Sequence, residues 1–160
     1  KNGYKSANRV NNQLHIERID ACAKNLNELD DVLVVWCATK ERNEYKVVGW
    51  YQHAWVYRFY QVLQFENGYI QDFNVKAKKE DCVLLPYEEQ NRVQWNAPIS
   101  KMRGYGFGQS LVWYASEADT APAVSYVQNL VDAIHAYSGK NYLDIDETND
   151  PALQQWNACR

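Results

Sequence analysis

The sequence predicts an α+β fold, a small, curved, mostly antiparallel sheet or partly open barrel followed by C-terminal helices. Three observations predict it. β-Branched and aromatic residues crowd residues 32–60, and such side chains suit a pleated, half-buried surface. Apolar residues at helical spacing gather only after residue 120, the mark of a helix with one buried stripe. A chain of 160 residues has room for one domain. The expected division is a sheet core over 13–115 and a helical part over 116–160, strands first and helices last.

Taken in order, residues 1–12 are polar and read as a loop or frayed end. Residues 13–19 alternate, with Leu14, Ile16 and Arg18 on one side and His15, Glu17 and Ile19 on the other, which predicts a short strand. Residues 24–30 suggest one or two helical turns. Residues 32–39 are apolar without alternation, the pattern of a central strand buried on both faces. After a polar connection, residues 45–51 form a second strand, and the two make an antiparallel hairpin. Residues 52–60 continue extended, with a bend near Ala54. Glu66-Asn67-Gly68 is a turn signal. Residues 74–78 are ambiguous, residues 82–85 form an apolar run that Pro86 ends, and residues 88–100 read as a loop. Gly104, Gly106 and Gly108 lead into a last strand over 110–115. Pro122 opens a helix carrying Val124, Val127, Leu130, Val131 and Ile134, Gly139 lies past its end, and Asp150-Pro151 signals a short final helix.

Composition narrows the function classes. Hydrophobic residues make 46% and charged residues 23%, which excludes a fibrous chain and wholesale disorder. No apolar run approaches the roughly 18 residues of a membrane span, so no membrane partner is expected. Residues 1–115 hold 15 basic and 13 acidic side chains, and residues 116–160 hold 2 and 7. The acidic end thus hides a mildly basic body, enough for weak, salt-sensitive contact with phosphates. Cys22, Cys37, Cys82 and Cys159 contain no C-x2-C pair, so no zinc site is expected. Cys37 in its apolar run reads as a free buried thiol, and the expected compartment is reducing and cytoplasmic. No cofactor is expected. Asp144, Asp146, Glu147 and Asp150 lack the glycine and spacing of a calcium loop.

The outlier is the aromatic content, 6 Trp, 12 Tyr and 4 Phe. A chain this size does not bury every one of these rings. Residues 45–60 hold seven: Tyr45, Trp50, Tyr51, Trp55, Tyr57, Phe59 and Tyr60. Along a strand, Trp55, Tyr57 and Phe59 share one face, and Val56, Arg58 and Tyr60 the other. For any single ring the plain reading is core packing. Aromatics on both faces with Arg58 among them point instead to a planar ligand held between rings, since stacking on an aromatic contributes about 1–3 kcal/mol per base. A second constellation, residues 101–114, combines Lys101 and Arg103 with three glycines, Gln109, Ser110, Trp113 and Tyr114. It reads equally as a phosphate-approaching backbone or as a mobile surface loop. Only His15, His53 and His135 could serve as an imidazole base, and no nucleophile–base spacing is recognisable; Cys82 beside Asp81 has no nearby His in sequence.

The string Asp31-Val-Leu-Val-Val-Trp-Cys-Ala-Thr39, followed by Val47-Val-Gly-Trp-Tyr51 and Val56-Tyr-Arg58, resembles an uncharacterised family of prokaryotic proteins. Asn74-Val-Lys-Ala-Lys78, Asp81-Cys-Val-Leu-Leu-Pro86 and Gly108-Gln-Ser-Leu-Val-Trp-Tyr114 extend the resemblance. It covers roughly residues 13–115. Members often carry this region ahead of a nuclease-type or other effector domain. The hairpin is also similar to that of the PUA-like superfamily, which includes the EVE, YTH and SRA-type readers of modified nucleobases. The resemblance implies a single PUA-like or EVE-like domain over 1–160 with further chain ahead of Gly3, and a flipped base in an aromatic cage.

The expected function is a non-catalytic module that recognises a modified nucleobase, in DNA rather than RNA, as the sensor of a restriction or defence system. A nuclease effector would lie in another domain or subunit. Trp36, Trp50, Trp55, Tyr57, Tyr60 and Trp113 form the pool from which two or three cage walls are drawn. Gln109 and Ser110 would meet the base edge, and Arg58, Lys101 and Arg103 the phosphates. The alternative is a small enzyme or metabolite-binding domain using the same aromatic pocket with His53 and the Asp81-Cys82 pair. A third reading is an interaction module whose exposed aromatics bind a protein partner.

Overall fold

A computed structural model describes residues 13–41, 44–108 and 110–144. The architecture is α+β, an open antiparallel sheet of four strands with few helices. Strand β1 (Glu28–Glu41) and strand β2 (Glu44–Gln64) form the expected hairpin. Strand β3 (Ile70–Lys76) pairs with the outer half of β2, and strand β4 (Cys82–Leu84) pairs with β2 at Gly49–Tyr51. Every strand therefore pairs with β2. At 21 residues, a straight β2 would reach about 70 Å. Register shifts at Leu29/Val32, Val32/Val34, Trp36/Cys37 and Val56/Gln61 break that line, since a bulge bends a strand and adds twist. The bend expected near Ala54 falls at His53, which has φ of 48°, while Asp31 on β1 has φ of 57°.

The apolar run 32–39 belongs to an edge strand and is half-buried, not a central strand. It lacks alternation because two small clusters cover opposite faces. On one face Leu33, Val35 and Cys37 join Val47, Trp50, Leu85, Trp95 and Ile134. On the other, Val32 and Val34 join Ile16, Ala23 and Val56. The bulge matters here: Trp36 pairs with Gly49 but Cys37 pairs with Val47. Val48 is the extra residue, so Val47 and Trp50, three apart, reach one face.

The strand expected over 13–19 is instead a 3-10 turn, Ile16–Arg18. Such a turn sets Ile16 and Ile19 on one side, and both join the second cluster. The helical turns expected over 24–30 lie earlier, as a 3-10 helix Ala21–Asn25 whose first turn is capped by the Asp20 carboxylate accepting from Cys22 N–H. The turn at Glu66-Asn67-Gly68 joins β2 to β3; Gly68 has φ of 81° and donates to Phe65 O. The loop expected over 88–100 contains helix α1 (Tyr87–Gln90) and a 3-10 turn, Val93–Trp95, whose Trp95 is fully buried. Helix α2 (Ser100–Arg103) follows and ends at Gly104 in a left-handed conformation.

The strand expected over 110–115 is absent. Residues 112–114 have no regular structure and lead into a 3-10 turn, Ala115–Glu117. The Ser110 hydroxyl accepts from Val112 N–H, the local side-chain bond that competes with a ladder. Helix α3 (Ala121–Ala136) begins at Thr120, whose hydroxyl accepts from Ala123 N–H, with Pro122 in the first turn. It packs Leu130, Ala133 and Ile134 on the first cluster. No helix among the described residues is long and apolar enough to cross a membrane. The expectations for residues 1–12, the helix at Asp150-Pro151 and Cys159 lie outside the described residues.

Candidate functional site

The six rings of the expected cage do not converge. Trp50 is 1% exposed, stacked on Trp95 at 5.4 Å and met edge-on by Tyr137 at 5.4 Å. It is a core residue, which corrects its placement among cage walls. Tyr57 is buried, edge-on to Phe73 at 6.1 Å. Lys76 Nζ lies 5.5 Å from the Trp55 ring centre and 5.3 Å from that of Tyr57, so these two rings already hold a cation of their own chain. Tyr60 is exposed on the β2–β3 hairpin. Trp113 packs with Tyr105 and Tyr126, all three centroids 5.9–6.1 Å apart. At that spacing rings touch one another, and no space for a ligand ring remains between them.

Trp36 is different. It is 40% exposed on the β1 face opposite Trp50. Its strand partner is Gly49, and Val34 two residues away pairs with Tyr51, so the Trp36 and Tyr51 rings meet on one face. Their centroids are 5.4 Å apart with planes at 71°. Together with Gly49, Val83, Leu84 and Leu143 they line an open hollow of about 350 Å³. Gly49 is required by packing: a Cβ there would lie 2.2 Å from Val83 O. The rim is fixed by Asn141, whose amide oxygen accepts from Leu84 N–H at 2.9 Å and Leu143 N–H at 3.1 Å, and whose NH₂ donates to Cys82 O at 2.9 Å. Among the described residues, no charged side chain lines the hollow. Burial, then the neighbouring Cys82, pushes the Tyr51 hydroxyl pKa upward, so it stays a neutral donor at physiological pH.

Arg58 is not available to phosphates, which corrects its expected role. Its guanidinium is buried and donates to Leu26 O at 2.9 Å, Ala23 O at 2.9 Å, Lys24 O at 3.2 Å and the Glu17 carboxylate at 2.6 Å. Three other cations of the basic body are also paired: Arg18 with Glu117, Lys46 with Glu44, and Arg92 with Glu89. Lys101 and Arg103 stand exposed on α2 and do not line the hollow. The glycine-rich stretch after them is held in place: Gly104 caps α2, and a Cβ on Gly106 would lie 2.3 Å from Pro98 O. Phe107 N–H donates to Pro98 O, and Ser100 N–H to Phe107 O. Ser110 is exposed, and Gln109 lies outside the described residues.

The Asp81-Cys82 pair has little nucleophilic character. The Cys82 thiol is nearly buried and donates to Lys78 O at 3.1 Å; burial, then Asp81 and Glu80, raises its pKa. Burial pushes the Cys37 thiol up to about 12. His53 is exposed and bonded to Asp31 at 2.5 Å, and that bond raises its pKa. Among the described residues, no group of three or more His, Cys, Asp or Glu could hold a metal ion.

Sequence reasoning named one wall of the hollow, Trp36, and missed Tyr51 as its partner, with Leu84, Asn141 and Leu143. Tyr51 was visible in the aromatic run, but its face depends on the bulge at Val48. No local signal joins Asn141 to β4, 57 and 59 residues away. No family model matches the chain, and no match was found among curated proteins or solved structures.

Proposed function

We propose that the Trp36–Tyr51 hollow receives a flat heterocycle, and that the chain is a non-catalytic module recognising a modified nucleobase in DNA. In this reading it is the PUA-like sensor of a restriction or defence system whose nuclease effector is a separate domain or subunit. One observation carries the proposal: Trp36, of the six rings expected at a cage, borders an open hollow with a second ring as its other wall and, among the described residues, no charged side chain in the lining. The pair offers one ring face and one ring edge. Stacking there contributes about 1–3 kcal/mol, which offsets much of the few kcal/mol needed to extrude a base. An added methyl group is then read by fit against Leu84 and Leu143. Of the three cations expected at phosphates, Lys101 and Arg103 remain exposed, and these two alone would give log Kd a dependence on log salt concentration with a slope of about 2.

Binding to short duplexes with and without a modified cytosine or adenine, at two salt concentrations, tests this. The expected result is preference for one modified duplex, lost in Trp36→Ala with the fold intact. Equal affinity for all duplexes, or none at low salt, removes the proposal. A hollow whose described lining holds no charged side chain also suits a free heterocyclic metabolite. Thermal shifts with nucleosides against other metabolites separate that second reading from the first.

A further inference from the structure

The outer β2–β3 hairpin is unlike the rest of the molecule. Residues 62–72 are all exposed, including Val62 at 64% and Tyr69 at 60%. The register sets Leu63 beside Gln71 and Val62 beside Asp72, so apolar side chains stand on both faces. A two-stranded hairpin alone is marginally stable in water and gains from a third strand.

That third strand has an obvious place. β3 is the last strand of the sheet, and its outer row of N–H and C=O groups has no partner strand among the described residues. The opposite edge, β1, is guarded by Asp30, Asp31, Lys40 and Glu41 and interrupted by register shifts, devices that discourage pairing. β3 pairs without a shift from Ile70 to Phe73 and holds no proline. From Phe59 to the end of β3 the charged residues are Glu66, Asp72 and Lys76, and Lys76 Nζ sits over the Trp55 and Tyr57 rings, which disfavours a phosphate backbone as the occupant.

The strand is self-complementary. Antiparallel pairing of β3 with another β3, centred on Phe73, sets Phe73 opposite Phe73, Asp72 opposite Asn74 and Ile70 opposite Lys76. No like charges stand directly opposite, and the aromatic pair lies on the two-fold axis. We infer that β3 joins β3 of a second copy of this chain, forming a two-fold dimer with one sheet continuous across both copies.

Sedimentation velocity from about 1 to about 100 µM, a range that brackets modest self-association, tests this. The wild type is expected to shift from monomer to dimer. Ile70→Lys sets two cations opposite each other and weakens the dimer by about tenfold or more, while Ile70→Glu faces Lys76 and retains it. Circular dichroism checks that both variants, altered at an exposed position, keep their fold. A wild type that stays monomeric throughout, or Lys and Glu variants that behave alike, overturns the inference. The measurement uses no nucleic acid, so its outcome is separate from that of the base-recognition proposal.

Discussion

Trp50 and Trp36 sit on neighbouring strands, within one register step of each other, and end in opposite circumstances. Trp50 lies between Trp95 and Tyr137 beneath α3, while Trp36 looks out over a hollow rimmed by Leu84 and Leu143. Both are tryptophans in strands rich in β-branched residues, so residue type and local pattern do not separate them. What separates them is which later segment reaches each face. A full helix and the Trp95 turn cover one, and a few residues latched by Asn141 border the other. A ring stays exposed here through incomplete cover, not through any property of its own strand.

Substitutions sharpen that contrast in order of effect. Trp50→Ala removes a ring at 1% exposure and is expected to cost about 3–5 kcal/mol in denaturant unfolding; a cost under about 1 kcal/mol would erase the difference between the two faces. Arg58→Met strands three carbonyls and a carboxylate. The expected loss is about 3 kcal/mol, with the salt slope of any DNA binding unchanged; a reduced slope would restore Arg58 to the phosphate contacts. Trp36→Ala is expected to cost less than about 1 kcal/mol, as at a surface site, while removing discrimination between bases.

The smallest effects are those of pH. A hydrogen bond at its own backbone N–H, then those from His15 and Arg58, hold the Glu17 carboxyl down to about 2. Its folded value is below the ordinary 4.5, so this stabilisation is complete above the ordinary value and is lost as pH falls toward about 2. His53 has the opposite sign. Asp31 raises its pKa above the ordinary 6.5, so its contribution is complete below that value and is lost as pH rises through the raised one. Denaturation midpoints across both limbs check the signs, with Arg58→Met flattening the acid limb and Asp31→Asn the neutral one.

Much of the sheet was legible in the sequence. The β-branched run before Thr39 and the aromatic run after Tyr45 announced the hairpin, Gly68 its second turn, and Pro122 the start of α3. Residues 13–19 misled because a short alternation is compatible with the three-residue spacing that puts Ile16 and Ile19 together. Trp95 gave no periodic signal and became the centre of the core. Arg58 among aromatics looked like a ligand contact because sequence cannot reveal that carbonyls of residues 23, 24 and 26 turn toward it. The hollow itself was half legible: one wall lay in the candidate pool, and the rim depended on a contact spanning 57 residues.

Those carbonyls carry a consequence for how the molecule is made. Arg58 lies 35 positions after Ala23, so a chain emerging from the ribosome presents the opening turns well before the residue that anchors them. They have no guanidinium to close on until the middle of β2 has followed. The turns Ile16–Arg18 and Ala21–Asn25 thus complete these contacts only after Arg58 is made, yet before Trp95 and α3 exist to close the other cluster.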